Sequence, residues 1–190
     1  MRGYRNDPHR TNDVLDAEGW LATGDIVTQD DDGYVTIIDR KKELIINAAG
    51  KNMSPSNIEN AITVACSIVG NVIAIGDNRP YNVALVVLDP DAAASIASNH
   101  DITDTSPASL AANSVLKSIV DNGIRAANER LSRVEQIKRF EILPEPWLPG
   151  GTFLTPTMKL KRRAVIEAYA DVIDRLYEAP RVATTGDNHA

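Results

Sequence analysis

Residues 33–55 read Gly33-Tyr34-Val35-Thr36-Ile37-Ile38-Asp39-Arg40-Lys41-Lys42-Glu43-Leu44-Ile45-Ile46-Asn47-Ala48-Ala49-Gly50-Lys51-Asn52-Met53-Ser54-Pro55, and the fold is decided here. A β-branched apolar run, Val35 to Ile38, ends in unbroken charge from Asp39 to Glu43 and resumes as the short apolar run Leu44 to Ile46. A Gly-containing turn follows, then Ser54-Pro55, an N-cap residue and a first helical residue. The stretch therefore predicts strand, polar hinge, strand, turn and helix start. Charges between two apolar strands belong at a surface or interface, and a glycine in the next loop lets backbone approach a ligand closely.

Working outward toward the N-terminus, Trp20 to Thr28 and Tyr34 to Ile38 flank the turn Asp30-Asp31-Asp32-Gly33 and predict a β-hairpin, with Asp25 in its first arm. Met1 to Glu18 is polar and aperiodic, and is expected to be poorly ordered. Toward the C-terminus, Pro55 to Ala65 sets Ile58, Ala61, Ile62 and Ala65 on one helical face. The apolar runs Ser67 to Gly76 and Asn82 to Leu88 predict an antiparallel hairpin through a turn-rich connection. Asp89-Pro90 starts a short helix to about Ser98, a polar loop covers Asn99 to Ser106, and a single helix is expected from Pro107 to about Leu131. A strand around Phe140 and Ile142, a loop from Trp147 to Pro156 containing Gly150 and Gly151, a helix from Arg163 to Leu176 and a tail from Pro180 complete the chain. The fold class is α+β: an N-terminal β-hairpin, then a small central sheet of about three strands covered by helices.

Composition limits the function classes. With 190 residues, 43% hydrophobic and 24% charged, the chain can bury a core. A net charge of −6 argues against general nucleic-acid binding, although a local basic patch runs from Lys159 to Arg163. The single Cys66 allows no internal disulfide and fits a buried small hydrophobe in a reduced, cytoplasmic setting. No apolar run approaches the ~18 residues of a membrane span. His9, His100 and His189 show no metal-ligand spacing and are expected at the surface. Trp20 and Trp147 are expected to be packing anchors.

Three stretches, in order, resemble the AMP-forming acyl-CoA ligases of the adenylate-forming superfamily: Gly19-Trp20-Leu21-Ala22-Thr23-Gly24-Asp25, the 33–55 block, and Leu154-Thr155-Pro156-Thr157-Met158-Lys159-Leu160-Lys161-Arg162-Arg163. The last stretch and the Ala49 to Asn52 loop are most similar to the long-chain fatty-acid branch, and the resemblance spans about Met1 to Tyr177. It implies that residues 1–39 are the end of a large N-terminal domain, including the hairpin, and that 40–179 form the C-terminal mobile domain, with a disordered tail at 180–190. The implied reaction joins fatty acid and ATP into acyl-adenylate and pyrophosphate, then passes the acyl group to CoA. The cofactors are then ATP and CoA, with Mg²⁺ bound in the complete enzyme but not by this portion. The implied partner is the larger ATP- and acyl-binding domain; no nucleic acid is expected, and there is room for peripheral membrane contact.

The resemblance implies that Lys159 is the adenylation lysine, a point charge delivered on a loop to the developing negative charge. Without it, Lys159, Lys161, Arg162 and Arg163 would read as a solvated basic face. Asp25 and Arg40 are implied to meet the ribose or phosphate of the nucleotide; alone, they would be a turn-capping Asp and a surface Arg paired with Asp39 or Glu43. Lys42 matches the hinge between the two half-reactions, and Gly50 with Ala48 and Ala49 leaves room for the pantetheine arm of CoA. No metal-binding residues are expected. A Gly-rich phosphate loop is absent from these residues, so the chain alone is expected to be inactive. The other readings are a non-catalytic, partner-binding module and a fatty acyl-AMP ligase domain that serves a carrier protein instead of CoA.

Overall fold

The computed structural model describes residues 1–178. The predicted hairpin is present as β1 (Asp25–Gln29) and β2 (Val35–Arg40), antiparallel with a bulge between Ile26 and Val27. Its turn is built by Asp30, whose Oδ1 accepts the N–H of Asp32 and Tyr34 at 3.1 and 2.8 Å, and by Gly33 at φ +88°, a backbone region that L side chains disfavour. The first arm is shorter than the sequence suggests, because Trp20 to Gly24 form no strand. Trp20 is no packing anchor: it is 74% exposed, as are Tyr34 at 74% and Ile37 at 67%, so the hairpin presents uncovered apolar surface.

The leading segment also departs from expectation. Pro8–Val14 forms a short helix, α1, started by Asp7, whose carboxylate accepts the Arg10 N–H at 2.9 Å. The cap, not apolar periodicity, organises it, since none of its residues is buried.

Beyond the hinge, β3 (Ile45–Ile46) pairs with β4 (Asn52–Met53), and α2 (Pro55–Ala65) begins at the predicted Ser54 cap, which accepts the Asn57 N–H at 3.1 Å. The central sheet has the order β5 (Val69–Ile75), β6 (Asn82–Leu88), β7 (Ile137–Leu143). The β5–β6 pair is the expected antiparallel hairpin, whereas β7 runs parallel to β6. A parallel neighbour requires a crossover, supplied by α3 (Pro90–Asn99), α4 (Pro107–Ala112) and α5 (Ser114–Asn128).

Two expected single helices are broken. At Asn113 the backbone is extended (φ −71°, ψ 129°) and the side chain accepts the N–H of Val115 and Leu116, so the residue ends α4 and starts α5. The C-terminal helix divides into α6 (Arg162–Ala168) and α7 (Ala170–Glu178) at Tyr169, whose ring stays beside Phe153 with centroids 5.4 Å apart. The predicted tail and His189 lie outside the described residues; His9 and His100 are exposed as expected.

The period-2 alternation of a strand divides the sheet's side chains between two cores. Val72, Ala74, Ala84, Val86 and Ile142 join Ile58 and Ile62 of α2 and Leu116, Val120 and Ile124 of α5 on one side. Ile73, Ile75, Val83, Leu85, Val87 and Leu143 join Trp147, Leu154, Val165 and Ile173 on the other. The second core carries the Lys159 loop. Cys66 is buried at the end of α2, and burial pushes its thiol pKa up.

Candidate functional site

Lys159 sits in a tight loop closed at its base by a bridge between Leu154 and Leu160. Leu154 is only 1% exposed, which anchors the entering strand of the loop in the second core. Across the loop the Thr155 N–H donates to the Lys159 carbonyl and the Lys159 N–H to Thr155 Oγ1, each at 2.9 Å. Met158 takes a left-handed turn at φ +61°. The Lys159 side chain is exposed and makes no hydrogen bond or ion pair among the described residues. A free ammonium on a backbone-braced loop suits delivery to an external anion.

The neighbouring cations are not one solvated face. Lys161 Nζ donates to the Gly151 carbonyl at 2.9 Å, and Arg163 pairs with Glu167 at 2.7 Å on the surface of α6. Arg162 turns inward and forms a two-pronged pair with Glu59 of α2, at 2.7 and 2.9 Å. The two side chains are 19% and 14% exposed. Burial disfavours the Arg162 charge, but the hydrogen bonds and charge of Glu59, with Glu43 and Asp39 adding to the field, raise its pKa on balance. Sequence reasoning missed this pair. Its signal was a carboxylate beside Ile58 and Ile62, on the edge of an apolar helix face, where a charge requires a partner.

Asp25 and Arg40 face each other across the hairpin and are joined at 2.8 Å, and among the described residues the Arg40 guanidinium forms no ion pair with Asp39 or Glu43. No hydrogen bond or ion pair links them to Lys159 among the described residues. Asp39, near the end of β2, is buried and reaches the N-terminus of α2 instead. It accepts from the Ser54 hydroxyl, from the Arg40 N–H at 2.7 Å, and from the Ser56 N–H and hydroxyl, both at 3.4 Å. Burial raises the pKa of its carboxyl, but these hydrogen bonds outweigh burial and hold it below the usual carboxylate value.

A depressed acidic pKa contributes stability above the unfolded value of ~3.9 and loses it as pH falls through the folded value. Asp39→Asn should therefore weaken the fold by about 1–3 kcal/mol at neutral pH and flatten the acid limb of stability. Thermal melts from neutral to acid pH measure both; parallel acid limbs for the two proteins would show that Asp39 does not contribute this linkage.

Lys42, the predicted hinge residue, lies in the turn between β2 and β3, and its N–H donates to no acceptor among the described residues. Gly50 sits at φ +73° with nothing within 4 Å of where a Cβ would stand. Its loop is nevertheless well tied: Asn47 Oδ1 accepts the Ala49 and Lys51 N–H, both at 3.0 Å, and the Ala48 N–H donates to the Arg79 carbonyl at 3.0 Å. The loop thus combines fixed backbone with open space over its glycine. No group of His, Cys, Asp or Glu side chains among the described residues is arranged to hold a metal ion, and no helix there is long and apolar enough to cross a membrane.

Residues 42–181 match the AMP-binding enzyme C-terminal domain. The chain belongs to this family. Among curated relatives of this AMP-binding C-terminal domain, FadD11 of Mycobacterium tuberculosis, provisionally named a fatty-acid–CoA ligase, is 53% identical over 177 residues, which is 93% of this chain and 31% of the relative. The long-chain-fatty-acid–CoA ligase FadD15 of the same organism is 35% identical over 92% of this chain and 29% of its own length. The adenylation domain of a carboxylate reductase from Mycobacterium chelonae superposes with a TM-score of 0.76 at 26% identity, covering 93% of this chain and 26% of that one. The chain thus spans less than a third of the length of these relatives.

Proposed function

We propose that this chain serves as the C-terminal, mobile lobe of a long-chain fatty acyl-CoA ligase, which converts fatty acid, ATP and CoA into acyl-CoA, AMP and pyrophosphate through an acyl-adenylate. The observation that carries this reading is the free Lys159 ammonium on a braced loop, within a family match over residues 42–181. Lys159 stabilises the charge that develops as the carboxylate attacks the α-phosphate of ATP. The Asp25–Arg40 pair binds the nucleotide: the Asp25 carboxylate accepts from the ribose hydroxyls, and Arg40 both orients Asp25 and offers its remaining N–H donors to oxygen.

Rotation about Lys42 exchanges the Lys159 loop for the Gly50 loop, whose open backbone admits the pantetheine arm of CoA. The uncovered apolar residues of the hairpin, Trp20, Tyr34 and Ile37, support a larger lobe as their covering partner. That lobe would supply the phosphate loop, the Mg²⁺ site and the acyl pocket. The naming of the relatives as CoA ligases favours CoA over a carrier protein as acceptor.

The division of labour is tested with the purified chain. Incubated with fatty acid, ATP, Mg²⁺ and CoA, it should form no acyl-CoA, whereas the complete ligase carrying it should. Acyl-CoA synthesis by the chain alone would overturn the division.

A further inference from the structure

The Lys159 loop is closed on itself at its base, by the Leu154–Leu160 bridge and by the Lys161 N–H, which donates to the Phe153 carbonyl at 2.8 Å, and the closed loop is tied to the rest of the fold by different means on its two sides. Leu154 inserts into the second core on the entering side. On the leaving side, three residues after Lys159, Arg162 crosses to α2 and grips Glu59 through both terminal nitrogens, at 2.7 and 2.9 Å. Glu59 Oε1 also accepts the Ala74 N–H of β5 at 2.8 Å, so the carboxylate is itself held by the central sheet. Arg162 Nε is buried without a partner among the described residues, and the guanidinium's other acceptor there is the Ala74 carbonyl at 3.4 Å, which leaves Glu59 as its principal anchor. The same helix, one turn earlier, receives Asp39 at its N-terminus.

Helix α2 is therefore a strut common to the pivot and to the Lys159 loop. Arg162 is the first residue of α6, and the residue before it, Lys161, supplies no side-chain cap. The start of α6, and with it the closed loop, is tied to α2 by the grip on Glu59, with no side-chain cap at Lys161.

We propose that Glu59 is a positioning residue for adenylation: through Arg162 it sets where the Lys159 ammonium stands relative to the Asp39–Lys42 pivot. The proposal rests on the reading of Lys159 given above. It predicts a selective effect, because a loop displaced by a fraction of its length misplaces Lys159 in the half-reaction that uses it. The half-reaction that presents the Gly50 loop instead is left intact.

The test uses the complete ligase with Glu59→Gln, Arg162→Gln, the double variant and Lys159→Ala, each assayed separately for adenylate formation and for thioester formation from supplied acyl-adenylate. Glu59→Gln is close to isosteric, and its amide oxygen can still accept the Ala74 N–H, so the helix–sheet tether survives while the charged grip is lost. Adenylate formation should fall roughly 10- to 100-fold, with thioester formation near the parent value; Tm should fall as well, because Arg162 keeps a buried charge without its counter-charge, and should recover in part in the double variant. The double variant should be no worse than either single one, as expected for partners in one interaction.

A parallel fall of both half-reactions would make the pair merely structural and overturn the proposal. Parent-level adenylation in Glu59→Gln, beside a large loss in Lys159→Ala, would overturn the proposal and leave the role of Lys159 standing. No loss in Lys159→Ala would remove that role, and this inference with it.

Discussion

Lys159→Ala in the complete ligase should lower acyl-adenylate formation by roughly 10²–10³-fold, the scale on which removal of one preorganised charge-stabilising donor acts, while thioester formation from supplied acyl-adenylate stays near the parent rate. The asymmetry follows from the chemistry. On the proposed reading, adenylation builds negative charge around the α-phosphate, whereas attack of a thiol on an existing adenylate takes place after the lobe has rotated and withdrawn the lysine. The variant should also be as stable as the parent, within about 0.5 kcal/mol, because the side chain is exposed and contributes no hydrogen bond or ion pair among the described residues. Separate assays of the two half-reactions decide the matter; equal loss in both would remove Lys159 from the adenylation role.

Leu85→Ala should destabilise the lobe by about 2–5 kcal/mol, through lost burial and the cavity left behind. Leu85 is fully buried in β6, the middle strand of the sheet, and lies in the core that contains Leu154 and Val165 on either side of the Lys159 loop. Neighbouring strands on both edges prevent β6 from collapsing into the space, so the cost should fall toward the upper part of that range. Urea denaturation of the chain gives the value from the shift in midpoint at unchanged slope. A loss below 1 kcal/mol, the scale on which volume-conserving core swaps act, would mean that the sheet closes over the cavity and is less rigid than its double coverage implies.

Much of the architecture is legible in residue order alone because the signals are local. Ser54-Pro55 and Asp89-Pro90 mark helix starts through a side-chain cap and a fixed φ, and both helices begin there. The β-branched runs before and after Asp77 to Tyr81 form the antiparallel pair they predict. Failures occur where a local signal was outvoted or overlooked. Asn113 is a strong cap set inside a helical apolar pattern, and its two backbone hydrogen bonds divide the helix. The polar start of the chain has no apolar face, yet Asp7 and Pro8 suffice to organise a short turn of helix. Trp20 was expected in a core by side-chain type, and it stands exposed beside an uncovered hairpin.

Residue order alone was enough for the α+β class, the hairpin, the charged turn between two apolar strands and the exposed placement of Lys159, because capping, alternation and charge density act over a few residues. Long-range packing was needed to set β7 parallel to β6, to bring Asp25 opposite Arg40, to carry Asp39 of β2 to the N-terminus of α2, and to turn Arg162 from its basic neighbours to Glu59. Each of these joins residues distant in the chain or chooses among equally plausible partners. A buried charge must find an opposite one, but which one it finds depends on how the helices pack.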